Sequence, residues 1–578
     1  MPVQFYLKTL FNLILLTLLT SVAVKAQLGS FFQESSLSDR TFGGNISIMA
    51  GAYTVDGIEN RRAPTILQTS ANSNFSILGL SSGFDLNYST DESGLRQNMN
   101  KIGFNMRWRW LQLEAGDVNP NFSTYGLSGA RVRGGLLRAE PGKFLLEFTG
   151  GRTRRAVLPN PGVGFRQPAF NQTAYAAKLG YGKQNSSYFH ISTFYAKDDV
   201  NSLGNNQTLP ITPQENITLT PDFQLQLFSG KLKINSEVTV SYFTRDLNSS
   251  RVDIGDSEIP GFLEGILQPR ETSKINYAGI ANAELALDLF RLAMGYERIQ
   301  PGFESLGRGT IRNDQETITV SPSVNFLNNR VRIATSIRLG RDNLLGNRLQ
   351  TQNNLNTNSS ISYIINETVS LNGTYNFLFN RVENESSGSE SAISDQSQVS
   401  HNISIQPSFT FNTNSITHNI SFSGGYIFSE SDFGALPGEG MSDTFISESY
   451  STNLNYVFTT QNGFSINSGV NFLKNDSDRN SIENYGLTIG TGVNLFQNTL
   501  RVNINGNANK NRSEVQFSGM QSRINELLQI GLNMNTTMNI TDKDNLSFVV
   551  RARSNRLQNG DGREFNELEG SINYRRRF

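Results

Sequence analysis

Residues 500–509 read LRVNINGNAN, and their alternation decides the fold. Leu500, Val502, Ile504, Gly506 and Ala508 fall on one face of an extended chain, and Arg501, Asn503, Asn505, Asn507 and Asn509 on the other. A two-residue period is the signature of a β-strand. A column of arginine and asparagine cannot be buried without partners, so the second face must meet water. The first face is apolar throughout. Such a strand suits a wall between an apolar medium and water.

The same pattern recurs on both sides of this stretch. Ile524, Leu528, Ile530, Leu532, Met534, Met538 and Ile540 oppose Arg523, Asn525, Gln529, Asn533, Asn535, Thr537 and Asn539. Leu232, Ile234, Val238, Val240 and Tyr242 oppose Lys231, Lys233, Asn235, Glu237, Thr239 and Ser241. Val331, Ile333, Ile337 and Leu339 oppose Arg330, Arg332, Ser336 and Arg338. The runs last about 10 to 17 residues, whereas soluble strands average about 5–6 and a tilted bilayer-crossing strand needs about 9–11. Hydrocarbon tolerates no open sheet edge, so the wall must close on itself. The expected fold is all-β, a single large antiparallel transmembrane β-barrel. Arg330, Arg332, Arg338, Arg501, Arg551 and Arg553 are expected to face its lumen.

Connection lengths alternate. Short ones fall near Gly230, Asp288, Asn328, Glu367, Asn414, Gln461, Gln497 and Asp542, and longer ones at 156–171, 200–214, 247–272, 302–314, 382–397 and 432–443. Outer-membrane barrels have short periplasmic turns and long outer loops, and this phase predicts about 24 strands, within 22–26, with both termini periplasmic. The barrel is expected to span 42–578, behind a short periplasmic segment at 27–41.

Residues 1–26 read as a signal peptide. Lys8 precedes an apolar run from Leu10 to Val24, and Val24-Lys25-Ala26 resembles a small-x-small cleavage site. The chain has 578 residues, 50 basic and 50 acidic, which gives no electrostatic reason to expect a nucleic-acid partner. It has no cysteine and three histidines, which excludes disulfides and argues against a metal cluster or cofactor. His190, His401 and His418 have no evident catalytic companion, so interfacial histidines are expected and no enzyme.

Leu568, Ile572, Tyr574 and Phe578 share a face, and Phe578 ends the sequence. This resembles the C-terminal signal that outer-membrane barrels present to the barrel assembly machinery, with Ile572, Tyr574 and Phe578 at its alternate positions. Arg576 departs from the pattern. The resemblance implies localisation in a bacterial outer membrane, among its lipids and lipopolysaccharide.

Residues 101–135, KIGFNMRWRWLQLEAGDVNPNFSTYGLSGARVRGG, hold both tryptophans. Ile102, Phe104, Met106, Trp108 and Trp110 share a face, then Leu111 and Leu113 shift phase, which predicts a β-bulge near Trp110. Arg107 and Arg109 oppose the tryptophans, and Arg131 and Arg133 follow across a connection at 116–125. Together they predict a basic lumenal patch, able to hold an anionic solute or to pair with lumenal acids such as Glu147. The GD…FS…LSGARVRGG run is similar to early barrel strands of fimbrial ushers and of type 9 secretion translocons, over about 25 residues. It implies a large barrel. The stretch before the first strand is too short for the plug of a TonB-dependent receptor.

Loop 247–272 contains an apolar patch, Ile259, Phe262, Leu263, Ile266 and Leu267, that could fold inward as a constriction. Loop 156–171 is a second candidate. The expected function is an outer-membrane pore for polar solutes through an arginine-bearing lumen. The alternative is a barrel conduit or scaffold in a protein-export or assembly complex, with a plug or lipoprotein partner.

Overall fold

The computed structural model describes residues 40–77, 79–90, 100–158, 168–183, 185–204, 211–252, 268–384, 395–434, 443–478, 480–516 and 522–578. The proposed signal peptide and the apolar patch 259–267 lie outside them. The described residues form one sheet of 26 strands, β1 to β26 in chain order. Each strand pairs antiparallel with its neighbours in sequence, and β1 (Arg40–Asp56) pairs with β26 (Phe565–Arg577) to close the ring. With strands about 4.8 Å apart and tilted near 40°, the girdle measures about 160 Å, or about 50 Å across if round.

Large apolar side chains such as Leu179, Ile405, Val470 and Ile489 stand about half exposed on the outward face. Hydrocarbon is the medium that such a belt requires. All eight expected short connections are tight turns. Three of them share one backbone device. Phe228-Ser229, Leu327-Asn328-Asn329 and Phe496-Gln497-Asn498 carry left-handed φ values between +51° and +69°. Such residues reverse the chain within the strand twist, at a steric cost that asparagine bears best.

Strand length is uneven. On one side β4 (Lys101–Trp108), β5 (Leu111–Val118) and β6 (Val132–Ala139) each have 8 residues. On the far side β18 (Gln396–Thr413), β19 (Ile416–Phe433) and β20 (Asp443–Thr460) each have 18. The wall is low on one side and tall on the other. The expected bulge near Trp110 is instead the β4–β5 turn: Trp108 pairs with Leu111, and Arg109 takes a φ of +52°. The phase shifts because one strand ends and the next begins.

The seam explains the last residue. Phe578 donates its N–H to the Gly44 carbonyl at 3.1 Å and accepts the Gly44 N–H at 3.2 Å. Its ring stacks on Phe42 with centroids 5.1 Å apart. A Cβ on Gly44 would sit 2.8 Å from that ring, so only glycine leaves the seat free. Ile572 faces outward opposite Ala50, and the Tyr574 hydroxyl donates to Asp544 at 2.7 Å.

Candidate functional site

One arc of the lumen has a second layer. Two long-loop-side connections, 119–131 and 300–314, turn inward and lie against the wall. That wall is built by β8 (Gln172–Gly182), β9 (Tyr188–Asp198), β10 (Glu215–Leu227), β11 (Leu232–Thr244), β12 (Ser273–Ala286) and β13 (Phe290–Ile299). Phe122 and Leu127 enter a core with Val118, Val132, Leu136, Ala174, Ala176, Phe194, Ala196, Phe243 and Leu306. Tyr125 enters a second with Ala278, Ile299 and Phe303. Tyr125, Leu127 and Phe303 are fully buried. Each large apolar side chain so buried contributes roughly 1.5–3 kcal/mol, which is ample to hold a short segment in place.

Hydrogen bonds fix the register of this layer. Glu237 on β11 accepts the Thr124 N–H at 2.6 Å, the Tyr125 N–H at 3.3 Å and the Thr124 hydroxyl at 2.8 Å. The Tyr125 hydroxyl donates to Glu297 at 2.7 Å. Burial, and then the Glu297 carboxylate, push this phenol well above its ordinary range. The two connections also clasp each other. Ser305 Oγ donates to the Gly126 carbonyl at 2.7 Å, Ser128 N–H to the Gly307 carbonyl at 3.0 Å, and Arg308 to the Thr124 carbonyl at 2.5 Å. Asn216 on β10 ties them to the wall, accepting the Leu306 N–H at 3.1 Å and donating to Ser241 at 2.8 Å. A Cβ on Gly307 would lie 2.4 Å from the Gly126 carbonyl oxygen, so the clasp requires glycine there.

Beneath this layer, toward the short turns, lies a cavity of about 500 Å³ lined by Arg107, Arg138, Lys178, Lys183, His190 and Asn121 among others. Arg138 is held by Glu140 through its Nε at 2.8 Å. The Lys178 ammonium donates to the Phe122 carbonyl at 2.8 Å and stands 3.6 Å from Asp222. His190 corrects an expectation. It is a buried lumenal residue with Nδ1 3.3 Å from Asp222, not an interfacial one without a companion. Its ring lies parallel to Tyr188 at 4.1 Å and rests on Gly180, where a Cβ would come within 1.9 Å of the imidazole. His401 and His418 do lie among aromatic rings, each Nδ1 near a tyrosine hydroxyl, at 3.0 Å from Tyr375 and 2.9 Å from Tyr456.

The four arginines expected in one patch are divided. Arg107 lines the cavity. Arg109 sits in the β4–β5 turn with its guanidinium 5.2 Å from the Trp108 ring. The phase of β6 sends Val132 and Leu136 inward to the buried core, so Arg133 points outward. There it grips Asp117, Nε to Oδ1 at 3.0 Å and a terminal nitrogen to Oδ2 at 2.8 Å, opposite Arg152 on β7 (Phe144–Arg154). Arg131 ends the inward connection, one residue before β6 begins. The physical reason is the inner layer: where it covers the wall, the lumenal column becomes apolar and the polar residues near the rim face out. The expected constriction at Ile259, Phe262, Leu263, Ile266 and Leu267 lies outside the described residues. The layer observed is made by other segments. The signal for it was present in Ala174, Ala176, Phe194 and Ala196, lumenal positions too apolar to face water.

No family model matches the chain, and no curated protein matches its sequence. Solved structures similar to it include OccAB2 from Acinetobacter baumannii, 11% identical over 64% of this chain and 93% of that one, with a TM-score of 0.28. The FrpB iron transporter from Neisseria meningitidis is 10% identical over 92% and 81%, TM-score 0.38. The P pilus usher PapC translocation pore is 11% identical over 93% and 99%, TM-score 0.26. The assignment rests on the chain's own geometry, a closed ring that is apolar outside and polar over most of its inside: the described residues form a 26-stranded transmembrane β-barrel.

Proposed function

We propose that the barrel is a passage for hydrophilic solutes, constricted on one side by the 119–131 and 300–314 layer. The observation that carries this reading is the contrast between two arcs of the lumen. Under the inner layer the wall is buried and closely packed. Elsewhere it presents hydrated amides and cations, as in the row Asn467, Gly490, Asn505, Asn533, Arg551 across adjacent strands. Amides and charges facing a water-filled bore favour polar cargo. Arg107, Arg138, Arg338 and Arg551 line lumenal cavities and give the interior its basic residues.

The test is conductance of the purified full chain in planar bilayers. Steady ion current is expected from the wild type, and a clear increase when 122–127 is replaced by a glycine-serine linker. A barrel that stays silent in both forms would overturn the passage reading. The bore favours a second reading, a conduit or scaffold for a protein partner, since about 50 Å exceeds what a small solute needs. That reading expects a stable partner to co-purify with the intact barrel and to suppress its current.

A further inference from the structure

Not every cation of the cavity beneath the inner layer is held by an acid. Glu140 is engaged by Arg138. Glu147 is buried, with Arg138 and Lys178 as its two cross-strand neighbours. Asp222 faces His190 and Lys178. Arg107 and Lys183 line the same cavity and form no ion pair among the described residues. They approach it from different hairpins, Arg107 from β4 and Lys183 from the β8–β9 turn.

A second observation is independent of this charge count. His190 is only 6% exposed, and its Nδ1 makes no hydrogen bond, although Asp222 is near. The imidazole is held flat between Tyr188 and Gly180. The ring forms part of the cavity wall, with its Nδ1 turned to the Asp222 carboxylate at 3.3 Å. The cavity is lined by Asn121 of the inner layer and by the turn residues Gly142 and Asn185, so it extends to the short-turn end of these hairpins.

We propose that this pocket is an oxyanion subsite, taking a phosphate or carboxylate group of a small solute between Arg107 and Lys183 with His190 at its wall. An arginine fork and a lysine point charge suit such a group, and charge-assisted bonds to it are the strong ones. The inference rests on the passage reading and names its solute class: small anions that enter from the short-turn mouth and pause below the constriction.

The test is equilibrium binding of inorganic phosphate and, separately, succinate to the detergent-purified full chain by calorimetry. The wild type should bind at least one of them. Arg107→Gln combined with Lys183→Gln should weaken that binding at least tenfold, while Arg107→Lys should stay within threefold of wild type. Arg501→Gln, on β23 (Leu500–Val515) and seven strands from β4 around the ring, should leave binding unchanged. Each variant is checked for the heat-modifiable mobility of a folded barrel, and the single substitutions serve if the double one fails to fold. Absence of binding by the wild type to either anion, or equal binding by the double variant, overturns the subsite. Conductance is read on the same preparations. A silent barrel that binds phosphate keeps the subsite and removes passage, and a conducting barrel that binds neither anion does the reverse.

Discussion

Glu237 does by itself what a cap does for a helix: one carboxylate satisfies two backbone N–H groups and a hydroxyl of the inward segment. Hydrogen bonds to a charged acceptor contribute about 1.5–3 kcal/mol each when shielded, and less at a hydrated site. Glu237→Ala should therefore loosen 119–131 by roughly 1–3 kcal/mol, measured as faster proteolysis within 119–131 while the barrel stays folded. Unchanged cleavage would remove Glu237 as the anchor. Tyr125 gives this contact a pH dependence. Its phenol is raised above the ordinary value of 10.0, so the folded layer needs the neutral form. The stabilisation is fully present below about pH 10 and declines as pH rises further. Cleavage of 119–131 should accelerate as pH rises above about 10 in the wild type, and Tyr125→Phe should flatten that response. At this scale the sequence was only partly legible. The outward columns could be read residue by residue because hydrocarbon sets a uniform demand. His190 could not, because its meaning comes from Asp222, a cross-strand neighbour 32 positions away.

At the scale of elements, two glycines make sharp tests. Gly307→Val would drive a side chain into the Gly126 carbonyl and the Phe194 ring. It should detach the clasp without opening the barrel, and the readout is increased conductance with unaltered heat-modifiability. Gly44→Ala strikes the seam instead, 2.8 Å from the Phe578 ring and 2.4 Å from the Asn72 carbonyl. It should lower the temperature at which the folded band is lost by several degrees, and an unshifted transition would show that the seam yields. The short turns were legible from Gly230, Asn328 and Gln497 because reversal chemistry is local. The inner layer was not, although β8 announced it. In QTAYAAKLGYG both faces are apolar in the first half, which in a barrel means that something covers the lumenal side. The sequence reading looked for a plug among exposed greasy loops, when the covering segments hide their apolar residues in a core. The same error of context sent Arg133 inward.

At the scale of the molecule, periodicity and closure physics gave the architecture, with a count of about 24 against 26 observed. The 26 lie within the expected 22–26, and the shortest strands, β4 to β6, include the two that the bulge expected near Trp110 joins into one. Their brevity has a consequence for what the barrel delivers. Eight tilted residues rise about 20 Å, close to the height of the apolar band, while eighteen rise about 45 Å. Counted from the short-turn end, the difference falls at the long-connection end. The tube is cut obliquely, like a quill. Its tall side, β18 to β20, stands like a screen above the membrane, and its low side opens just where the inner layer sits. On the passage reading proposed above, a solute should leave sideways at the low rim beside β4 to β6 rather than straight outward.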